Sequence, residues 1–401
     1  MKMICRSILM WIFYKSCLLL CVLLRGFTQV RKNRIFCTSY HYKKYSCNPR
    51  YITEFLLKEH PGEYEIYWCF KKNIKIPQLP EGIKVVTWPS LKFFYVLNTS
   101  AFIFSNSRLD FWDKYYKKRK EQKYIMTWHS SMGVKKVEKD AVESLSQDYI
   151  EYAKRDSLNC DLILAGCELR ANIIRTSFWY YGEILKKGTP RNDMLFTVDV
   201  KGLKKKIYSL YHIPTNAKIL LYAPTFRSNH TLDYYKFDWR DVVTLLNDMY
   251  GEEFCVLLRL HPNLLDIVKI DCGSTAIDVT RYHDMHELLC ISDILVTDYS
   301  SSMFDFALLN RPCFIYATDY TKYDRGVYMD LHDTPFPFAQ SNAELLSLLK
   351  EFDVLAYQES LIRFNHDYIG SYEKGKACEG VYQWMNSNNA FRSTSLHTDQ
   401  S

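Results

Sequence analysis

Residues 294–312, ILVTDYSSSMFDFALLNRP, constrain the fold more than any other part of the chain. Residues 294–296 form an apolar run that is typical of a buried strand, and the run ends at Thr297 and Asp298. Three serines at 300–302 follow, and the apolar residues after them recur at helical spacing. A strand that turns through hydroxyl residues into a helix leaves backbone N–H groups free at the helix start, and these suit a phosphate. An ordinary capped strand–helix junction is the alternative.

Four other segments also place polar side chains just beyond an apolar run. They are TWHSSMGVKK at 127–136, GTPRND at 188–193, YAPTFR at 222–227 and RLHP at 259–262. In open α/β sheets ligands bind outside the carboxyl ends of the strands. Several polar strand ends that converge there predict a site for a substrate with more than one phosphate.

In this order and spacing, the segments resemble the CDP-glycerol glycerophosphotransferases, the teichoic-acid primases and polymerases of bacterial cell walls, and their relatives in capsule clusters. The matching segments are WHSSMGVKK, GTPRNDMLF, LLYAPTFR, LRLHP and SDILVTDYSSSMFDFALLNRPCFIY, and the resemblance covers about residues 34–385. It implies an α/β fold of two Rossmann-like domains, of the glycosyltransferase-B kind, with the donor held between them. It also implies that CDP-glycerol is the donor, that a hydroxyl of a lipid-linked teichoic-acid or capsule precursor is the acceptor, and that CMP is released.

The chain is expected to divide into four parts. We predict a membrane-associating segment at 1–32, an acceptor-side domain at 33–200, a donor-binding domain at 201–385 and a disordered tail at 386–401. Apolar runs predict strands at 34–38, 64–69, 84–87, 101–105, 124–127, 162–165, 219–222, 254–258, 276–279, 294–297 and 313–316. Helical patterns are assigned to 51–59, 141–157, 168–177, a stretch ending near 212, 343–352 and 370–384, the last of which is taken to complete the donor domain.

The N-terminus carries most of the positive charge. Residues 1–53 hold ten Lys and Arg and no acidic residue, whereas the whole chain has a formal net charge of +7. Residues 8–24 between these charges are apolar except for Lys15 and Ser16. We predict an interfacial anchor on anionic lipids, which would place the protein at the cell membrane, peripheral on the cytoplasmic face. A signal-anchor span and a buried helix are the alternatives.

Other features exclude several classes of protein. The 13 cysteines have no CxxC pair and no metal-ligand spacing, which favours reduced thiols in the cytosol. A second basic cluster, KYYKKRKEQK at 114–123, is interpreted as a solvated helix face, or as a contact with a membrane or a polyanionic acceptor. No nucleic-acid-binding motif accompanies it, so nucleic acid is not an expected partner. No metal site is predicted and no cofactor is expected to be required, although an effect of Mg²⁺ is left open.

Two histidines are assigned to the chemistry. Phosphoryl transfer needs a base near the attacking hydroxyl and hydrogen-bonding or positive groups on the phosphate oxygens. His129 at a strand end is the predicted base, because the pKa of histidine lies near neutrality. The family pattern in this loop is Trp-His-Gly-Thr, where this chain has Ser130 and Ser131. His261 is predicted to hold or protonate the leaving phosphate, and Arg259, two residues earlier, shares its strand face.

The remaining predicted binding residues lie at strand ends, except Glu287, which lies on a predicted helix. Arg191 can fork onto a phosphate, Glu287 can hold ribose hydroxyls, and Asp298 can close the pyrophosphate site, bind glycerol hydroxyls or orient a histidine. Asn192 and Asp193 are expected to cap the next helix. A salt bridge is the alternative role for Arg227. The predicted binding set is Ser130, Ser131, Gly133, Arg191, Pro224, Thr225, Arg227, Arg259, Glu287, Asp298, Ser300 and Ser301.

Three other functions compete with transfer from CDP-glycerol. A CDP-ribitol-specific transferase would differ in the polyol alone. A nucleotide-sugar glycosyltransferase on the same fold would release a nucleoside diphosphate. A membrane-bound scaffold of a capsule assembly complex would have no turnover. The acceptor, the number of units added and the oligomeric state stay open.

Overall fold

Two parallel β-sheets, each flanked by helices, form the body of this computed structural model, which describes residues 2–109, 111–112, 116–225, 227, 237–260, 276–320 and 326–389. The strands of the first sheet are β1 (Arg31–Thr38), β2 (Glu65–Lys71), β3 (Ile83–Trp88), β4 (Ser100–Ser105), β5 (Lys123–Met126), β6 (Leu162–Leu164) and β7 (Glu183–Leu185). Those of the second are β8 (Lys218–Ala223), β9 (Phe254–Leu258), β10 (Ala276–Asp278), β11 (Ile294–Thr297), β12 (Cys313–Tyr316) and β13 (Phe338–Ala339). The predicted α/β class with two parallel sheets is confirmed.

The parallel strand order brings the carboxyl ends of the strands to one edge of each sheet, which is where the sequence predicts the site. The first sheet runs β3-β2-β1-β4-β5-β6-β7 and the second β10-β9-β8-β11-β12-β13. All neighbouring strands are parallel, as in sheets that carry helices on both faces, and the central strands are largely buried. β4 and β9, for example, are buried at every position. The chain reverses direction across each sheet at β1/β4 and β8/β11, the switch points at which such folds bind ligands.

Thirteen helices are present among the described residues. They are α1 (Lys2–Phe27), α2 (Cys47–Glu59), α3 (Leu91–Thr99), α4 (Gln147–Asn159), α5 (Glu168–Ser177), α6 (Asp193–Thr197), α7 (Val200–Tyr211), α8 (Trp239–Tyr250), α9 (Met285–Ile291), α10 (Ser302–Ala307), α11 (Asn342–Lys350), α12 (Val354–Arg363) and α13 (Ala377–Ser387). The predicted helix at 141–157 is instead a 3₁₀ segment, Glu138–Ser144, followed by α4. Ser146 separates the two because its side chain caps α4 by accepting a hydrogen bond from the Tyr149 N–H.

The last helix returns to the first sheet. Cys378, Trp384 and Met385 of α13 are buried in the core that covers β1, β2 and β4. Asp193 fixes the start of α13, since its carboxylate accepts the N–H of Ala377 at 2.9 Å and that of Cys378 at 2.7 Å. The stretch 370–384 was assigned to the donor domain, whereas α13, which begins within it, packs on the first sheet. α13 also includes two residues of the predicted tail, 386–401, of which 390–401 lie outside the described residues.

The N-terminal segment forms one long helix that packs with one face against α3. Cys17 and Cys21 on that face are buried, whereas Trp11, Leu19 and Phe27 are 61%, 60% and 88% exposed. Among the described residues, no helix combines the length and the apolar content that crossing a membrane requires. The buried-helix alternative thus holds for one face of α1 and not for the other.

The second basic cluster is not a helix face where the structure describes it. Residues 113–115 lie outside the described part, and the segment from Tyr116 to β5 is an irregular connection. Arg119 donates to the carbonyl of Thr28 at 2.6 Å, just after α1, and Lys118 pairs with Asp161. Part of this cluster therefore fixes the N-terminal helix on the domain.

Candidate active site

Loops at the carboxyl ends of both sheets meet in one cleft. Tyr51 of α2 donates to Asp284 at 3.0 Å, and Arg50 binds the same carboxylate at 2.7 Å. Lys136 donates from its backbone to the carbonyl of Gly326 at 2.8 Å. Between the two sets of loops lies a cavity of about 100 Å³, lined by Tyr40, Lys44, Ser46, Cys47, Arg191, Arg259, His283, Asp284, Met285 and His286.

His129 lies three residues after β5, and its ring centroid lies 6.3 Å from that of Tyr40, which lines the cavity. Its ring stacks on Trp128 with 4.5 Å between centroids, and its Nδ1 lies 3.1 Å from the carbonyl oxygen of Asn106. A carbonyl can only accept, so Nδ1 carries the proton and Nε2 keeps its lone pair. Burial is the main cause that lowers the pKa of His129 to about 4. The imidazole is therefore neutral at physiological pH, with Nε2 able to accept a proton.

The loop after His129 lies between the two domains. Arg170 of α5 donates from Nη2 to the Ser130 hydroxyl at 3.2 Å. A Cβ added at Gly133 would lie 3.2 Å from that Nη2 and 4.0 Å from the Cβ of Ser301 in the donor domain. Ser131 is buried. The structure thus brings together the acceptor-side and donor-side serines that the sequence selected.

The GTPRND segment joins the two domains through buried polar contacts. Arg191 forms an ion pair with Asp305 of α10, and Asn192 donates to the same carboxylate at 3.0 Å. Asn192 also lies 2.9 Å from Nε2 of His286 and donates to Glu373 at 3.1 Å. The prediction that Asn192 and Asp193 cap the next helix was wrong, since Asp193 caps α13 and Asn192 bridges the domains.

The PTFR segment is held by charged side chains that satisfy one another. The Thr225 N–H donates to Asp298 at 2.9 Å, and Arg227 binds Asp298 at 2.9 Å and Asp319 at 2.6 Å. All three charged groups are buried. Arg227 therefore has the role of a salt bridge, the alternative that the sequence left open. Asp298 orients this loop rather than a histidine, and Pro224 is buried beside it.

The remaining predicted residues are placed as follows. Arg259 donates to the Val279 carbonyl at 2.9 Å and also lines the cavity. His261 lies outside the described residues. Glu287 is buried and engages Lys206 at 3.0 Å and Arg50 at 3.4 Å, and its bonds to side chains lower its pKa despite burial. A ribose hydroxyl would therefore meet a carboxylate that already has several partners.

The serines after β11 begin a shorter helix than the sequence suggested. α10 has six residues, so the contribution of its dipole to anion binding is smaller than that of a long helix. The Ser302 hydroxyl donates to Ser300 at 2.8 Å. Ser301 occupies the N-cap position without a side-chain cap bond and is half-buried. Ser300 thus already accepts a hydrogen bond from within this segment, whereas the Ser301 side chain makes no cap bond.

Several residues of the cleft could not be selected from the sequence. Tyr40 and Lys44 lie in the connection between β1 and α2, Asn106, Arg170 and Glu373 come from other parts of the chain, and none belongs to a motif. Residues 40–42 have positive φ angles without glycine, a strained conformation that occurs at functional sites. The sequence around these three residues, SYHYK, carries no local signal for such a conformation. In the part of the chain that the structure describes, no group of three His, Cys, Asp or Glu could hold a metal ion.

Comparison with known proteins assigns the family. A sequence model of the CDP-glycerol:poly(glycerophosphate) glycerophosphotransferases matches residues 20–386. The chain belongs to this glycerophosphotransferase family. It is 31% identical over 343 residues to the teichoic acid poly(glycerol phosphate) polymerase of Bacillus subtilis strain 168. It is 32% identical over 372 residues to the teichoic acid glycerol-phosphate transferase of Staphylococcus aureus strain NCTC 8325.

These relatives differ in length. The match covers 82% of this glycerophosphotransferase-family chain but 45% of the B. subtilis polymerase, so the chain spans about half of that relative. It covers 88% of this chain and 92% of the S. aureus transferase. A solved structure of the wall teichoic acid polymerase TagF superposes with a TM-score of 0.80 at 29% identity, over 91% of each chain. A TagF variant with CDPG has a TM-score of 0.78 at 29% identity, again over 91% of each chain.

Proposed function

We propose that this protein transfers glycerol phosphate from CDP-glycerol to a hydroxyl of a membrane-linked teichoic-acid or capsule precursor and releases CMP. Membership of the family supports the donor, as do the names of the relatives and the TagF structure with CDPG. The observation that carries the proposal is the neutral His129, whose Nε2 is free to accept a proton in the cleft between the two sheets.

The acceptor hydroxyl attacks the phosphorus atom that bears glycerol. A new P–O bond forms to the acceptor oxygen, and the bond from that phosphorus to the oxygen bridging the two phosphates breaks. The hydroxyl proton passes to Nε2 of His129, and CMP leaves with the bridging oxygen. In the neutral imidazole Nδ1–H donates to Asn106, which fixes the ring and the tautomer for this transfer. His261 is proposed to hold the departing phosphate.

Fixed cations on both sides of the cleft are proposed to neutralise the donor diphosphate. Lys44 and Arg259 line the same cavity, and burial together with the Arg259 charge lowers the pKa of Lys44. Two neighbouring cations are favoured when an anion lies between them. Ser301 and Thr225 are proposed to bond phosphoryl oxygens. The reaction is proposed to need no metal, and turnover that persists in a chelator would support this.

The exposed face of α1 is proposed to bind the cytoplasmic face of the membrane, where it would meet a lipid-linked acceptor. Large apolar side chains on that face, including Leu19 and Leu23, are more than half exposed. Lysines and arginines flank them and favour anionic lipids. Binding to phosphatidylglycerol vesicles should fall at least tenfold in the double variant Leu19→Glu/Leu23→Glu. It should be unchanged in Leu355→Glu, an exposed residue of α12; equal binding by all forms would contradict the proposal.

The donor assay decides the activity. The purified chain is incubated in parallel with CDP-glycerol, CDP-ribitol and a panel of sugar nucleotides, with a membrane extract as acceptor, and released nucleotides are identified. CMP from CDP-glycerol is the expected result. CMP from CDP-ribitol alone would identify ribitol, rather than glycerol, as the transferred polyol. UDP or GDP from the sugar nucleotides, with no CMP, would contradict the proposal and favour a glycosyltransferase.

A further inference from the structure

Arg170 is a buried cation with few partners. It is 2% exposed and lies in the first turn of α5, directly behind the loop that carries His129. Its Nη2 donates to the Ser130 hydroxyl at 3.2 Å. Its Nε and Nη1 are also buried, and neither has a hydrogen-bond partner among the described atoms.

The other buried arginines of the described chain show how unusual this is. Each of them reaches a carboxylate. Arg34 lies 2.7 Å from Glu65, Arg108 2.8 Å from Glu138 and Arg227 2.6 Å from Asp319, and Arg191 pairs with Asp305. Arg170 reaches no carboxylate of the residues that the structure describes. A buried guanidinium without a counter-charge is unfavourable, and an anion bound against it would supply that counter-charge.

The position of Arg170 identifies where that anion would lie. The guanidinium lies beside Ser130 and Gly133, and a Cβ added at Gly133 would also lie 4.0 Å from the Cβ of Ser301 in the donor domain. Burial is the main cause that lowers the pKa of His129, and the charges of Arg191 and Arg170 add to it. The positive field of Arg170 therefore extends across the loop to the proposed base.

We propose that Arg170 makes the loop of residues 130–133 an anion-binding subsite, in which a phosphate group of a substrate lies against Ser130 and Gly133 and faces Ser301. Arg170 provides the counter-charge and holds the Ser130 hydroxyl in place. This inference rests on the proposed function only for the identity of the phosphate. Two sources share the chemistry: the diphosphate of the donor and the phosphate that links the terminal unit to the acceptor chain.

Binding measurements on the full-length chain test this subsite without turnover. The probes are CDP for the donor and glycerol 3-phosphate for the acceptor, titrated at fixed ionic strength by calorimetry. Arg170→Met should weaken at least one probe tenfold or more. The matched control is Arg175→Met on the same helix, where the side chain is 51% exposed, and its affinities should stay within twofold of wild type.

The two probes distinguish the sources. Loss of CDP affinity assigns the donor diphosphate to the subsite, and loss of glycerol 3-phosphate affinity alone assigns the acceptor phosphate. Affinities within twofold of wild type for both probes, in a folded Arg170→Met variant, would overturn the proposal. Since neither probe is turned over, a chain that binds them but ignores CDP-glycerol would contradict the proposed function and leave this inference intact.

Gly133→Ala supplies a second variant in case Arg170→Met does not fold. The φ angle of Gly133 is not in the left-handed region, so alanine suits the backbone. The added Cβ would occupy the space between Arg170 and Ser301 without removing any charge. We expect affinity for the same probe to fall at least fivefold. Unchanged affinity for both probes in Gly133→Ala would overturn the proposal by itself.

Discussion

Arg227 and Arg170 lie on opposite sides of one cleft, both buried, and their surroundings differ. Arg227, on the donor side, binds Asp298 and Asp319 and closes the loop after β8. Arg170, on the acceptor side, reaches one serine hydroxyl. Arg227 belongs to a recognisable motif and Arg170 to none. A motif arginine can thus stabilise a loop through ion pairs. An arginine outside every motif can instead keep a charge that no carboxylate neutralises and that a ligand can pair with.

The same contrast extends to the neighbouring groups. On the donor side, Asp298 accepts from Thr225 and Asp305 binds Arg191, so these carboxylates are occupied by the protein itself. On the acceptor side, His129 uses one ring nitrogen for Asn106 and keeps the other for chemistry. We therefore expect substitutions of these paired donor-side charges to act mainly on stability, and substitutions of His129 or Arg170 to act mainly on binding and rate.

Arg227→Met should give the largest loss of stability. It leaves two buried carboxylates without their counter-charge, and breaking such a pair costs about 3–5 kcal/mol. Arg170→Met should cause no loss of stability, since it removes a buried charge that has no acidic partner among the described residues. Urea unfolding of both variants checks this. Equal losses in the two variants would remove the distinction between the two sides.

Glu373→Gln should change how stability depends on pH. Burial raises the pKa of Glu373 to about 7 in the folded protein, from an ordinary value of 4.5. The folded state thus favours the protonated form, and its contribution to stability is lost as the pH rises from about 4.5 through 7. Between these limits the wild type should lose about 1–3 kcal/mol relative to Glu373→Gln.

Urea unfolding of wild type and variant at pH 5 and pH 7.5 measures this difference directly. Contributions from other groups, including His129, cancel in the comparison. If the gap between the two proteins is the same at both pH values, Glu373 does not titrate in this range.

Asp193→Ala should have a smaller effect, confined to α13. The carboxylate accepts two backbone N–H groups at the start of that helix, and losing such a cap costs about 1 kcal/mol. Hydrogen exchange should therefore become faster in residues 377–387. Asp353→Ala, which removes a similar cap from α12, is the control and should leave exchange in α13 unchanged. Faster exchange in both helices alike would argue against a local cap.

Most strands of the two sheets could be predicted from the sequence, because buried parallel strands are continuous apolar runs. The predicted strands at 254–258, 294–297 and 313–316 have the observed bounds. β7 and β13 were missed because they are short, at three and two residues. The docking of α13 on the first sheet has no local signal, since it depends on contacts with residues some 200 positions earlier.

The site was predictable in position but not in the roles of its residues. Strand ends place His129, Ser130 and Ser301 near the cleft, as the pattern indicated. The partner of a charged side chain, however, comes from a distant element, as Asp319 does for Arg227 and Asn106 for His129. A sequence shows the charge of a residue, and only the fold shows whether another residue has already neutralised it.

His129 is assigned to the chemical step rather than to binding or folding. The direct test is single-turnover CMP release from CDP-glycerol by His129→Gln, with donor affinity measured in parallel. We expect donor affinity within about threefold of wild type and a rate lower by about 10²–10⁴-fold. His332→Gln, an exposed histidine paired with Asp330, should match wild type in both measurements. CMP release at the wild-type rate by His129→Gln would contradict the account.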